Sequence, residues 1–256
     1  MATSLFEKII FGPIKSRRLG ISLGVNLLDP HAKLCNFDCI YCECGWNGDH
    51  RGGHFNAPED VIEQLTLALQ EMQSQGELPS YITFAGNGEP TMHPRFEQII
   101  TQTISLRDRL APRARIAVLT NATMIDRESV HCALEMVDQN ILKFDSAILG
   151  TQQLLNRANS PRSIERQIEL LGSFSGEFVI QTMFLRGVVD GQAIDNTQQA
   201  EVSAWLDALR QISPSQVMLY SIDRDTPLSG LVKVEREELE AIAEQVRELG
   251  LCATVS

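Results

Sequence analysis

From residue 20 onward the chain alternates between short runs rich in β-branched and aromatic residues and longer runs whose apolar positions return every three or four residues. The short runs predict strands at 21–28, 81–84, 115–119, 141–144, 178–184 and 216–220. The longer runs predict helices at 58–75, 95–109, 126–135, 162–171, 198–211 and 236–249. In the first helix Val61, Ile62, Leu65, Leu69 and Met72 share one face, and Pro58 suits the opening turn. In the last, Leu239, Ile242, Val246 and Leu249 line up before Gly250 ends the helix, and a short strand is expected at 252–255. Six strand-helix units imply parallel strands joined by helical crossovers, an α/β fold. Eight units would close a full barrel; six leave an open or partial one, and periodicity alone does not separate that from an open doubly wound sheet.

The bulk properties narrow this reading. A chain of 256 residues with 43% hydrophobic content suits one core, so a single domain over 1–256 is expected, with no internal linker or low-complexity stretch. No apolar run reaches membrane-spanning length, and residues 1–10 lack a basic segment followed by an apolar one, so a soluble, cytoplasmic protein without membrane contact is expected. The net charge is −11, dispersed along the chain, which disfavours nucleic acid as a partner. It does not exclude it: Lys15, Arg17 and Arg18 form either a local basic patch or a solvated turn.

Six cysteines in a reducing compartment read as thiols or metal ligands. Cys132 and Cys252 have apolar neighbours and read as small core residues, while Cys35, Cys39, Cys42 and Cys44 crowd into the longest irregular segment, 29–56. That segment follows the first strand, on the side where α/β folds place their sites. The motif KLCNFDCIYC (33–42) spaces three thiols as CxxxCxxC, and soft sulfur ligands so close in sequence suit an iron-sulfur centre or zinc. Three ligands on a four-iron cluster leave one iron open to a ligand. Structural zinc would recruit Cys44, His31, His50 or His54, but it prefers paired CxxC knuckles, and no second pair exists. Cys44 reads as an incidental buried thiol.

Further strand ends carry polar groups. In FAGNGEPTMHP (84–94), Gly86 and Gly88 allow close backbone approach and Glu89 offers a carboxylate. In LTNA (119–122), Thr120 and Asn121 can bond ribose hydroxyls or a carboxylate, or simply cap a turn. Lys143 and Asp145, at the end of the fourth expected strand, can form a plain salt bridge.

Together these segments resemble the radical S-adenosylmethionine (SAM) superfamily. Cys35, Cys39, Tyr41 and Cys42 match its CxxxCxΦC signature, 86–89 its GGE-type motif, and 119–122 its TNG-type strand end. The segments 11–20, 22–28 and 220–224 resemble a branch of small proteins similar to wyosine-synthesis enzymes. The resemblance implies a partial (β/α)6 TIM-type barrel with outer helices, and a 4Fe-4S cluster held by Cys35, Cys39 and Cys42. It also implies SAM bound near Tyr41, Gly86, Asn87, Gly88, Glu89, Thr120, Asn121, Lys143 and Asp145. An electron from a flavodoxin- or ferredoxin-type protein would cleave SAM to a 5'-deoxyadenosyl radical that abstracts hydrogen from substrate.

The substrate would be a small molecule or an RNA base; the alternative is an activase acting on a partner protein. Wyosine enzymes use a second cluster and a pyruvate-engaging lysine, and no second set of three clustered cysteines occurs here. Trp46, His50, His54, Gln181 and Tyr220 are candidate contacts for substrate, and Gln181 also for the cofactor.

Overall fold

A computed structural model of the protein describes residues 5–16, 20–49, 52–175 and 177–256; Arg17, Arg18 and His50 lie outside the described residues. The chain divides into two compact units.

The N-terminal unit comprises Leu5–Cys35 and Asn47–Asn140. Its elements are β1 (Ile10–Ser16), β2 (Gly20–Val25), α1 (Pro58–Gln75), β3 (Tyr81–Phe84), α2 (Phe96–Leu110), β4 (Arg115–Thr120) and α3 (Glu128–Glu135). β2, β3 and β4 run parallel, with Val25 opposite Phe84 and Phe84 opposite Val118. Strands covered on both faces must be apolar throughout, and Leu23, Val25, Ile82, Phe84, Ile116 and Val118 are buried. α1 turns Val61, Leu65, Leu69 and Met72 into the core and ends on Gly76 at φ 75°, the left-handed conformation that terminates helices. Phe96 at the start of α2 meets Phe84 edge to face.

The expected helix at 58–75 and strand at 81–84 match α1 and β3. The first expected strand is shorter than 21–28: β2 ends at Val25, because Asn26 leaves the ladder to bond Leu28 and Asn87. Ahead of it β1, hidden in sequence by Gly12 and Pro13, pairs antiparallel with β2.

The C-terminal unit comprises Asn36–Trp46 and Ile141–Ser256, with β5 (Gln139–Lys143) carrying the chain into it. Its further elements are α4 (Leu149–Asn156), α5 (Ile164–Leu171), β6 (Phe178–Val189), β7 (Gln192–Asp195), α6 (Gln199–Ile212), β8 (Gln216–Ser221), β9 (Val232–Lys233), α7 (Arg236–Glu248) and β10 (Cys252–Val255). β6, β8 and β10 run parallel, and the far half of β6 pairs antiparallel with β7 and β9.

Phe184 meets Trp205 of α6 edge to face, so alternation along the strand turns Ile180 and Thr182 toward that helix and Gln181 and Met183 to the opposite face. Their ladder partners Met218 and Tyr220 share that second face. Two expectations are corrected here. Cys132 and Cys252 are exposed rather than core residues. Buried Val130, Ala133 and Leu134 take the inner face of α3, leaving Cys132 outside, and Cys252 belongs to the exposed half of the alternating β10.

Candidate active site

In the N-terminal unit the loop after β3 is built to receive the strand of chain that leads into the cysteines. Leu34 forms a parallel bridge with Gly88: Leu34 N donates to Asn87 O at 2.8 Å and Glu89 N donates to Leu34 O at 2.9 Å. Gly88 sits at φ 135°, and a Cβ there would lie 1.8 Å from Leu34 O. Gly86, at φ 154°, packs on the Asn26 side chain, where a Cβ would lie 2.3 Å from Oδ1. Gly88 thus lets two stretches of this chain's own backbone meet, which fixes the residue before Cys35. Asn87 is fully buried; its Nδ2 donates to Phe6 O and Asp29 O at 3.0 and 2.9 Å, and its Oδ1 accepts from Phe6 N at 2.8 Å. Its side chain ties the loop together from within.

Glu89 joins the ends of two strands. Its Oε1 accepts from Thr91 N at 3.0 Å, Thr91 Oγ1 at 2.5 Å and Thr120 Oγ1 at 2.7 Å, and its Oε2 from Asn121 N at 2.6 Å. Burial pushes its pKa up, and these hydrogen bonds oppose but do not cancel the shift. Asn121 accepts from Thr123 through Oδ1, while its Nδ2 donates to Cys35 Sγ at 3.6 Å. Asn47 Nδ2 donates to Cys35 O at 3.1 Å. His93, at the end of the same motif, is bonded through both ring nitrogens to Asn56 O and Arg95 N. His54 stands in the solvent-facing part of the same loop, 2.7 Å from Asp29.

In the C-terminal unit the segment with Cys39 and Cys42 lies against the end of α4. Asp38 N donates to Asn156 O at 2.9 Å and Ile40 N to Leu155 O at 3.0 Å. Tyr41 is buried, and its hydroxyl donates to Asp145 Oδ2. Asp145 Oδ1 accepts from Met183 N at 2.9 Å, and Lys143 Nζ lies 3.6 Å from Asp145 Oδ2 and 3.0 Å from the Tyr220 hydroxyl. Burial alone would depress the lysine's pKa, but Asp145 and Tyr220 outweigh it and raise it, so Lys143 remains a cation. Asn156 Nδ2 donates to Asp145 Oδ2 at 2.7 Å, to the Tyr41 hydroxyl at 2.9 Å and to Cys39 Sγ at 3.5 Å. Trp46 carries the Arg157 guanidinium over its ring, 5.0 Å from the centroid.

Among the described residues no three His, Cys, Asp or Glu side chains are grouped as a metal ion would require; what the structure offers a cluster is the chemistry of its donors. None of the described cysteines is in a disulfide. Burial pushes Cys39 up to about 11, against the pull of Lys143, so without a metal it is a neutral thiol at neutral pH, and a metal would bind by displacing its proton. Cys39 Sγ already accepts an amide N–H. A ligand is invited as well: Gln181 Nε2 is buried with no hydrogen-bond partner, and buried polar groups are rarely left so. Three thiols of one short motif and an unpartnered buried amide are the donors these segments would offer a cluster and a polar ligand.

Asn156 and Asn26 were not marked by the sequence motifs. Asn26 carries a signal, a single amide within the apolar run VNLL (25–28). Asn156, at the end of a helix that periodicity did not reveal, carries none.

The chain belongs to the radical SAM superfamily: the family model of that description matches residues 30–197, about two thirds of the chain. Members of this superfamily are enzymes that use a 4Fe-4S cluster and SAM for radical chemistry. The chain is 31% identical over 240 residues to a UPF0026 protein of Helicobacter pylori, covering 90% of this chain and 71% of that one. It is 26% identical over 244 residues to a protein of Brachyspira hyodysenteriae named GTPase Obg, matching 93% of this chain but only 33% of that one. Among solved structures it is similar to a radical SAM methyltransferase from Sphaerobacter thermophilus, with TM-score 0.67 and 16% identity over 92% of this chain and 65% of that one. It is also similar to TYW1 with a lysine-pyruvate adduct bound, with TM-score 0.63 and 15% identity over 89% and 73% of the two chains. These likenesses establish the α/β partial-barrel fold. Among the described residues no helix is long and apolar enough to cross a membrane.

Proposed function

We propose that this chain, acting as one core domain over 1–256, takes a hydrogen atom from a small molecule or a nucleobase. In this reading Cys35, Cys39 and Cys42 hold the cluster, and the ends of β3, β4, β5 and β6 hold SAM. When bound, the cluster and SAM supply a 5'-deoxyadenosyl radical, with an electron from a flavodoxin- or ferredoxin-type protein.

The chain's own residues do the positioning. Glu89 locks the ends of β3 and β4 together through Thr120 and Asn121. Lys143 stays charged beside the Tyr220 hydroxyl, where a substrate or cofactor carboxylate can be neutralised. Asp145 and Asn156 hold Tyr41 in place.

The observation that carries the small-substrate reading is Gln181. Its amide is buried and unpartnered on the strand face it shares with Met218 and Tyr220. Leaving such a donor unmet costs about 1–3 kcal/mol, and a bound polar molecule would meet it.

The test uses reconstituted holoenzyme, a reductant, SAM and cell fractions from deuterated growth medium. Deuterium is expected in 5'-deoxyadenosine with the small-molecule or RNA fraction, and Cys39→Ala is expected to abolish the cleavage. Deuterium transfer from the protein fraction alone would overturn the reading in favour of an activase. Once a substrate is found, Gln181→Leu should raise its KM about tenfold, the equivalent of about 1.4 kcal/mol.

A further inference from the structure

Two asparagine side chains donate to cysteine sulfurs, each within its own unit. Asn121 Nδ2 reaches Cys35 Sγ at 3.6 Å, and Asn156 Nδ2 reaches Cys39 Sγ at 3.5 Å. Neither contact is incidental to a mobile side chain. Asn121 is fixed by Thr123 on its Oδ1 and by Glu89 on its backbone N–H. Asn156 is almost wholly buried, and its backbone oxygen accepts from Asp38 N, the residue next to Cys39. The same amide nitrogen also faces Asp145 Oδ2 and the Tyr41 hydroxyl. With only two hydrogens for three acceptors, it must share them, and its orientation is set by the two oxygens rather than by the sulfur.

We propose that Asn121 and Asn156 are positioning residues that raise the reduction potential of the cluster by donating to the Cys35 and Cys39 thiolates. This rests on the assignment of those cysteines as cluster ligands. Hydrogen bonds to the sulfurs are among the levers that set cluster potential. The physical reason is charge: reduction adds an electron to an already anionic centre, and a fixed amide dipole with its positive end on sulfur stabilises the reduced form more than the oxidised one. Asn156 carries a second consequence. Because the nitrogen is shared with Asp145 and Tyr41, loss of either oxygen partner releases it toward the sulfur.

The experiment compares reconstituted wild-type holoenzyme with Asn156→Leu and Asn121→Leu, each checked for iron content, by redox titration followed by electron paramagnetic resonance. Each variant is expected to load iron and to show a midpoint potential shifted to more negative values. Unchanged potentials in iron-loaded variants overturn the proposal. A second measurement does not depend on a variant folding: wild-type protein labelled with 15N at the asparagine side-chain amides should show weak 15N coupling to the reduced cluster in pulsed spectroscopy. Absence of that coupling overturns the proposal as well. A wild-type chain that loads no iron, or a cluster that survives Cys39→Ala, overturns the ligand assignment and the proposal together; a loaded cluster lacking both effects overturns the amide role alone.

Discussion

At the scale of single residues, Glu89 shows how a motif's most conspicuous group can hold a scaffold. Its carboxylate collects three side-chain or backbone donors from Thr91 and Thr120 and a fourth from Asn121. Glu89→Gln keeps the shape but turns an amide N–H toward some of these donors. The expected cost is about 1–3 kcal/mol of apoprotein stability, read as a fall in urea midpoint. The pH dependence has a definite sign. Because burial raises the folded pKa of Glu89, the folded state binds the proton more tightly than the unfolded chain. Its contribution to stability is therefore full at low pH and declines as pH rises above the ordinary glutamate value of about 4.3. Urea midpoints measured across that range should show this decline in the wild type and lack it in Glu89→Gln; parallel slopes would refute the assignment. The residue types at this site were legible in the sequence, but their partners were not. Glu89, Thr120 and Asn121 stood out as polar groups at strand ends, whereas the bonds among them join positions about thirty residues apart and depend on strand register.

At the scale of elements, the clearest case is the clamp between Leu34 and Gly88. The sequence shows a glycine at a strand end, which reads as room for a ligand; the structure fills that room with the backbone of the cysteine loop. Gly88→Ala places a methyl group against Leu34 O and costs about 1–3 kcal/mol for its backbone conformation alone, before the overlap is counted. Iron bound per chain after reconstitution should drop sharply, while Gly48→Ala, whose added Cβ meets nothing within 4 Å, should load iron like the wild type. Equal loading in both variants would show that the clamp does not set the position of Cys35. The same scale explains what periodicity could and could not supply. α1 and α7 present regular apolar stripes and were legible. α4 has only eight residues and buries Gln152 and Asn156 beside a single leucine, so its buried face carries no apolar pattern. β7 and β9 are short and pair only with the far end of β6, a contact no local pattern announces.

At the scale of the whole molecule, charge bears on which substrate the site can take. A net charge of −11 sets a repulsive field against a polyanion. Many of the described arginines and lysines are also engaged with carboxylates: Arg107 with Asp108 and Asp138, Arg186 with Asp195 and Glu238, Arg224 with Glu43, and Lys233 with Asp223. Each such pair removes a cation that a phosphate backbone would need. Affinity for nucleic acid falls with salt in proportion to the phosphates neutralised, with a slope near −0.7 to −0.9 per contact. Transfer RNA is therefore expected to bind this protein weakly, with a slope no steeper than about −2, and to be released at physiological salt. Filter-binding isotherms at several salt concentrations measure this directly. Tight binding at physiological salt with a much steeper slope would mean that a local basic surface overrides the field of the whole chain, and would direct the search to RNA. A shallow slope would instead direct the search for the hydrogen donor to small molecules, for which the buried amide of Gln181 offers a polar contact.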